Sequence, residues 1–192
     1  AWPSDLMKIE TANGINEVTV YSFNGKVNSA SVNLGKAELA GENIPCVWKE
    51  DKIVNKPATI GGKEYKVTLV NLGNPHCVVF SEKVDAVDVE TVGPLFENCE
   101  YFPERINAEF IRVVNRVTIK MRVWERGNGE TWSCGTGAAA AVVAAVLNGY
   151  CDRDTNITVK LRGGDLVVNY HSDGEVELMG SVKTVYEGRL EI

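Results

Sequence analysis

The sequence predicts an α+β fold: a curved, mainly antiparallel sheet wrapped around one buried central helix. Two observations carry this expectation. Short stretches rich in β-branched residues recur along most of the 192 residues, separated by Asn-Gly, Gly-Gly and Asp-Gly turn signals. One segment, 137–147, contains only Gly, Ala, Val and Leu. It is apolar on every face, so as a helix it must be buried all round, and its alanines let a sheet approach closely.

Taken in order, residues 8–11, 17–23 and 27–34 read as strands, with Asn-Gly turns at 13–14 and 24–25. Residues 63–70 and 77–80 read as strands around the Gly73-Asn74-Pro75 break. Residues 88–96 carry a weak helical pattern. Residues 108–114 and 117–124 pair as strands across Asn115-Arg116. The helix 137–147 ends at Asn148-Gly149, a C-terminal cap signal. Residues 157–161, 166–170, 176–179 and 182–186 form a closing meander, turning at Gly163-Gly164 and Ser172-Asp173-Gly174. No linker or short internal repeat interrupts the chain.

A hydrophobic content of 44% and a charged content of 24% are ordinary for a globular domain. The net charge of −6 argues against nucleic acid or an anionic membrane as a general partner. The longest apolar run, 138–147, is about half of the ~20 residues a membrane span needs. Five scattered cysteines, an odd number without metal-ligand spacing, fit a reducing cytoplasm and not a disulfide framework. Two histidines make a metal site unexpected.

The chemistry concentrates at Cys134. It lies in the run Glu125-Arg-Gly-Asn-Gly-Glu-Thr-Trp-Ser-Cys-Gly-Thr-Gly137, at the start of the apolar helix. Helix N-termini present free N–H groups and partial positive charge, which favour a thiolate and can hold a carboxylate. Gly135 and Gly137 clear space for a ligand, and Thr136 adds a hydroxyl. A thiol pKa below the ordinary value follows, with alkylation faster than at Cys46, Cys77, Cys99 or Cys151, which read as small buried hydrophobes. Arg126 offers a fork for a carboxylate and Glu125 an acceptor for an ammonium group. Together these suit a zwitterionic, amino-acid-like ligand. Glu130 and Thr131 read as loop-ordering residues. Asn74, His76 and Asn107, taken alone, read as turn or structural residues.

The run 125–137 resembles the second active-site signature of the diaminopimelate epimerase family. Gly73-Asn-Pro-His76, Pro103-Glu-Arg-Ile-Asn-Ala-Glu-Phe110 and Val32-Asn-Leu-Gly35 resemble further family segments in the right order. The resemblance runs from about residue 8 to the C-terminus. It implies a cofactor-free interconversion of LL- and meso-diaminopimelate in lysine biosynthesis, with two cysteines on opposite faces of the α-carbon. Cys134 is then one of the pair. Gly135 and Thr136 bind the reacting carboxylate, Arg126 the distal carboxylate, and Glu125, Asn74 and Asn107 the distal amine and polar groups. His76 and Glu125 tune the site. No Cys-Gly-Asn-Gly sequence like the family's first signature occurs, so the resemblance implies a second lobe whose first lobe is missing. Residues 1–20 then form a tail of the first lobe, 21–184 the second lobe, and 185–192 a strand returning to the first. Such a chain holds one acid/base of two and is expected to be inactive alone, with an exposed edge or apolar patch. A homodimer is a further implication. Other readings are a proline racemase-like enzyme and a non-catalytic single-lobe remnant.

Overall fold

The computed structural model describes residues 5–11 and 14–190. In chain order they form β1 (Leu6–Thr11), β2 (Gly14–Phe23), β3 (Lys26–Lys36), β4 (Lys56–Ile60), β5 (Lys63–Asn71) and β6 (Pro75–Phe80). After a 3₁₀ turn at Val84–Ala86 come α1 (Val89–Glu97), β7 (Asn107–Asn115), β8 (Thr118–Glu125), β9 (Gly129–Thr131) and α2 (Gly135–Leu147). The chain closes with β10 (Asn156–Leu161), β11 (Gly164–Tyr170) and β12 (Glu175–Ser181).

The strands join in one twelve-stranded sheet of order β1-β2-β3-β12-β11-β10-β8-β7-β6-β5-β4, with β9 paired to β8. Pairing is antiparallel except at β6–β7 and β8–β10. Just beyond β3, Glu38 exchanges two backbone hydrogen bonds of 2.9 Å with Asn71 in β5. The sheet therefore curls almost closed, and α2 lies inside the curl. Gly137 to Ala145 are all buried, and α2 touches β5, β6, β7, β8, β10, β11 and β12. This is the predicted sheet around a single buried helix. Asn148 ends α2 by donating to Ala144 O at 2.8 Å and Thr68 Oγ1 at 3.0 Å. Gly149 follows in the left-handed region, where a β-carbon is disfavoured.

Strand alternation decides what faces α2. In β7, Ile111 and Val113 point at the helix, while Ala108 and Phe110 enter a second core on the outer face under α1. In β6, Val78 and Phe80 face inward, and Cys77 and Val79 outward. By the same period of two, His76, Asn107 and Glu109 lie on the inner face, at the end of the sheet where α2 begins. The two-core arrangement is an addition to the sequence reading.

The predicted strand at 182–186 does not form. Residues 182–190 take no regular structure, with Val182 N–H bonded to Asn28 O at 3.0 Å and Val185, Tyr186 and Leu190 exposed. Of β1 to β3, only Val20 and Ser31 are buried, while Ile15, Phe23, Leu6 and Tyr21 are exposed. The Asn13 half of the first turn and residues 1–4 and 191–192 fall outside the described residues. No helix among the described residues is long and apolar enough to cross a membrane.

Candidate active site at the start of the buried helix

Cys134 is the N-cap of α2. Its backbone is extended (φ −135°, ψ 115°), and its Sγ accepts from Gly137 N–H at 3.3 Å. Sulfur here takes the place that a serine or aspartate oxygen usually fills. The N–H groups of Gly135 and Thr136 have no intrahelical acceptor by construction, so they are available to an anion. Gly137 is a requirement of space: a β-carbon there would lie 2.9 Å from Glu109 Oε1 and 3.2 Å from Cys134 Sγ.

Three of the residues singled out in the sequence join Cys134 in one hydrogen-bonded chain. Thr136 Oγ1 lies 3.7 Å from Sγ and accepts from Asn74 Nδ2 at 3.2 Å. Asn74 Oδ1 lies 3.0 Å from His76 Nε2. His76 Nδ1 lies 2.7 Å from Glu109 Oε1, and both side chains are fully buried. Glu109 is the residue that the sequence reading passed over. The available signal was a charged residue at an inward position of an otherwise apolar strand, two residues after Asn107.

Glu125, whose carboxylate acts on the Cys134 thiol, ends β8 and leads into the turn at Arg126. Thr131 Oγ1 donates to Glu125 Oε1. Asn107 braces the turn from within: its Nδ2 donates to Pro75 O at 2.8 Å and its Oδ1 accepts Arg126 N–H at 2.9 Å. Both polar ends of Asn107 are thus used by backbone groups of this chain. Arg126 Nη1 donates to Glu104 O at 3.0 Å. Glu97, at the end of α1, accepts from Gly127 N–H at 2.9 Å, Arg105 Nη1 at 3.1 Å and Trp124 Nε1 at 2.6 Å. Glu97 also escaped the sequence reading. Glu130 does order the loop: Arg122 grips it at 2.8 and 2.9 Å, and Arg162 adds a contact at 3.1 Å. Cavities of about 690 and 740 Å³ lie elsewhere, and neither is lined by Cys134.

The expected low thiol pKa is corrected by the structure. Burial pushes the Cys134 thiol up to about 11 from the ordinary 9.0, and the nearby Glu109 and Glu125 carboxylates push the same way. The N–H of Gly137 and the Thr136 hydroxyl pull it down, but less. Desolvation outweighs the helix end because Sγ is shut in by the sheet. Iodoacetamide alkylation of Cys134 in this chain is therefore expected to be slow at pH 7 and to accelerate toward pH 11 as thiolate forms. Mass-spectrometric rates across pH check this; a profile levelling off below pH 9 overturns it.

Comparison with known proteins gives the arrangement a family. The sequence profile of the diaminopimelate epimerase family matches residues 68–185. The diaminopimelate epimerase of Bacillus licheniformis is 44% identical over 185 residues, covering 96% of this chain and 65% of that protein. That of Acetivibrio thermocellus is 43% identical over 189 residues, covering 98% and 67%. The chain thus spans about two thirds of the length of these relatives. Among solved structures, a probable proline racemase from Agrobacterium radiobacter superposes with a TM-score of 0.67 at 11% identity, over 94% of this chain and 58% of that one. A hydroxyproline epimerase from Agrobacterium vitis gives 0.67 at 12% identity, over 94% and 57%. At such identities the likeness concerns the fold alone. With 43–44% identity to these two relatives over nearly its whole length, the chain belongs to the diaminopimelate epimerase family.

Proposed function

We propose that this chain is the second lobe of a diaminopimelate epimerase, acting in lysine biosynthesis in the cytoplasm and carrying one of two cysteine acid/bases. The observation that carries this reading is Cys134 at the N-cap of α2, linked through Thr136 to the Asn74–His76 arm and within reach of the Glu125 carboxylate. An α-proton next to a carboxylate is weakly acidic. Its removal needs a base together with donors for the charge that develops on the carboxylate. The N–H groups of Gly135 and Thr136 supply such donors. A thiol held protonated by burial is suited to deliver a proton to the α-carbon, and its thiolate to remove one. Arg126, fixed at its backbone by Asn107 and with one guanidinium nitrogen held by the Glu104 carbonyl, suits the distal carboxylate through the rest of its fork. Glu125 suits the distal amine.

On this reading residues 1–20 belong with a first lobe, 21–184 form the second, and 185–192 return to the first. The exposed apolar side chains of Ile15, Phe23, Val185, Tyr186 and Leu190 support that division, because no cover for them lies among the described residues. Inversion needs a second thiol on the far face, which this chain does not offer: Cys46, Cys77 and Cys151 are buried within the cores, and Cys99 lies under the outer one. A homodimer through the full protein is part of the same proposal.

The test is deuterium incorporation from heavy water at the α-carbon of diaminopimelate. The isolated chain is expected to give no inversion, and the chain joined to a first lobe to give exchange with inversion. Rapid inversion by the isolated chain sinks the half-site reading. Turnover of proline but not diaminopimelate by the joined protein sinks the substrate assignment.

A further inference from the structure

Glu109 is a buried acid with no role in the family signature as read from sequence. It is fully buried, its Oε1 meets His76, and its Oε2 has no hydrogen-bond partner. A buried carboxylate with one bare oxygen is a poor place for an uncompensated negative charge. Burial raises its pKa, opposed by His76. The other titratable groups on its side of the sheet are Glu125 at the end of β8 and Cys134 on α2, and a negative charge on either adds repulsion. A proton shared within the Glu109–His76 pair removes the difficulty.

The neighbouring amide says where that proton acts. Asn74 turns Oδ1, an acceptor, toward His76 Nε2, and Nδ2, a donor, toward Thr136. A carbonyl can only accept, so Nε2 must carry a hydrogen. There are two ways to achieve this with Nδ1 bonded to Glu109. The ring holds both hydrogens against a carboxylate, or a neutral ring accepts at Nδ1 from a protonated Glu109. Both place one proton on the pair. Thr136 Oγ1 then accepts from Asn74, and its own hydrogen is free to point at Cys134 Sγ.

Resting on the reading of Cys134 as a proton carrier, we propose that Glu109 is a positioning residue: with His76 it holds one shared proton that polarises the chain through Asn74 and Thr136 so that the Thr136 hydroxyl donates to Cys134 Sγ. If the pair loses this proton, Nε2 becomes an acceptor and Asn74 must turn over. Its Oδ1 then takes the Thr136 hydrogen away from sulfur. Thiol and thiolate at Cys134 are thereby favoured by opposite directions of one chain.

Nitrogen-15 NMR of the labelled 192-residue chain at pH 7 tests the proposal without substrate. His76 is told from His171 by a His171→Asn variant. The expected result is a protonated Nε2 in the wild type and in Glu109→Gln, whose amide can donate to Nδ1 as a protonated carboxyl does, and a signal moved toward the tautomer-averaged value in Glu109→Ala, where nothing at Nδ1 fixes the ring hydrogen. A wild-type ring protonated only at Nδ1 overturns the proposal, as does an Nε2 signal unchanged in Glu109→Ala. A purely structural Glu109 would lower the melting temperature and leave that signal in place. A second arm reads the far end. Thr136→Val is expected to slow Cys134 alkylation at pH 9 several-fold, with Thr136→Ser restoring it. An equal or faster rate in Thr136→Val means that the hydroxyl accepts from the thiol, and the proposed direction is wrong. Neither arm depends on epimerisation, so failure of the diaminopimelate assignment would leave these outcomes readable.

Discussion

Cys134→Ala, in a protein carrying this lobe together with a first lobe, is expected to abolish inversion of diaminopimelate by about 10²- to 10⁴-fold, the usual contribution of a positioned acid or base. The loss should be asymmetric. A thiolate on the opposite face can still remove the α-proton from the epimer that presents it there and return a solvent deuteron to the same face. Wash-in without inversion should therefore survive for one epimer and vanish for the other. The carboxylate cradle proposed at Gly135 and Thr136 is backbone, so the Michaelis constant should change less than the turnover number. Proton NMR of each epimer in heavy water separates the two cases. Equal residual inversion of both epimers would mean that Cys134 carries no proton. Removing sulfur also frees Gly137 N–H, whose bond to Sγ is worth a small fraction of the activity effect.

Gly93→Ala is expected to lower stability by about 3 kcal/mol, at the upper end for overpacking. A β-carbon at Gly93 would fall 2.4 Å from Cγ and Cδ2 of Trp124 and 2.6 Å from Cε3. The indole cannot step aside freely, because its Nε1 is tied to Glu97 Oε2 at 2.6 Å. Glu97 in turn holds Gly127 N–H and Arg105. A shift of the ring therefore disturbs the turn that carries Arg126, although Gly93 lies on the outer face and Cys134 on the inner. Urea denaturation measures the first effect; weaker diaminopimelate binding by the joined protein measures the second. An unchanged midpoint would mean that α1 lifts off the sheet without penalty.

Where side-chain period and turn chemistry are strong, the chain announces its own structure. The run 137–147 fixed a helix and its burial, because no face of it could meet water. The hairpin of β7 and β8 followed from alternation across Asn115-Arg116. β4 was missed because Pro57 within Lys56–Ile60 argues against a strand, yet β4 is the sheet's edge, where a missing N–H is tolerated. β9 is three residues long and hidden in a glycine-rich loop. At the site, the signature supplied Cys134, Arg126 and the glycines, and neighbours far apart in sequence supplied the rest. Glu109 meets His76 only through the parallel register of β6 and β7, in which His76 stands opposite Asn107. The thiol's pKa was misjudged for the same reason. Charge at a helix end can be inferred locally, whereas desolvation depends on strands that arrive from elsewhere.

The helix sealed inside the sheet also constrains the order in which the chain can be made. α2 is complete at Leu147, but the strands that close over it include β10, β11 and β12, which end at Ser181. During synthesis from the N-terminus, an alanine-valine segment without a polar face must therefore wait for β12, Glu175–Ser181, before it can be enclosed. Local helix formation is fast, while pairing of distant strands is slow. For that interval the nascent chain carries an apolar rod with no partner, the kind of surface that folding helpers bind and that drives aggregation when they are absent. Truncations that stop between 148 and 181 should thus be far more damaging than their distance from Cys134 suggests.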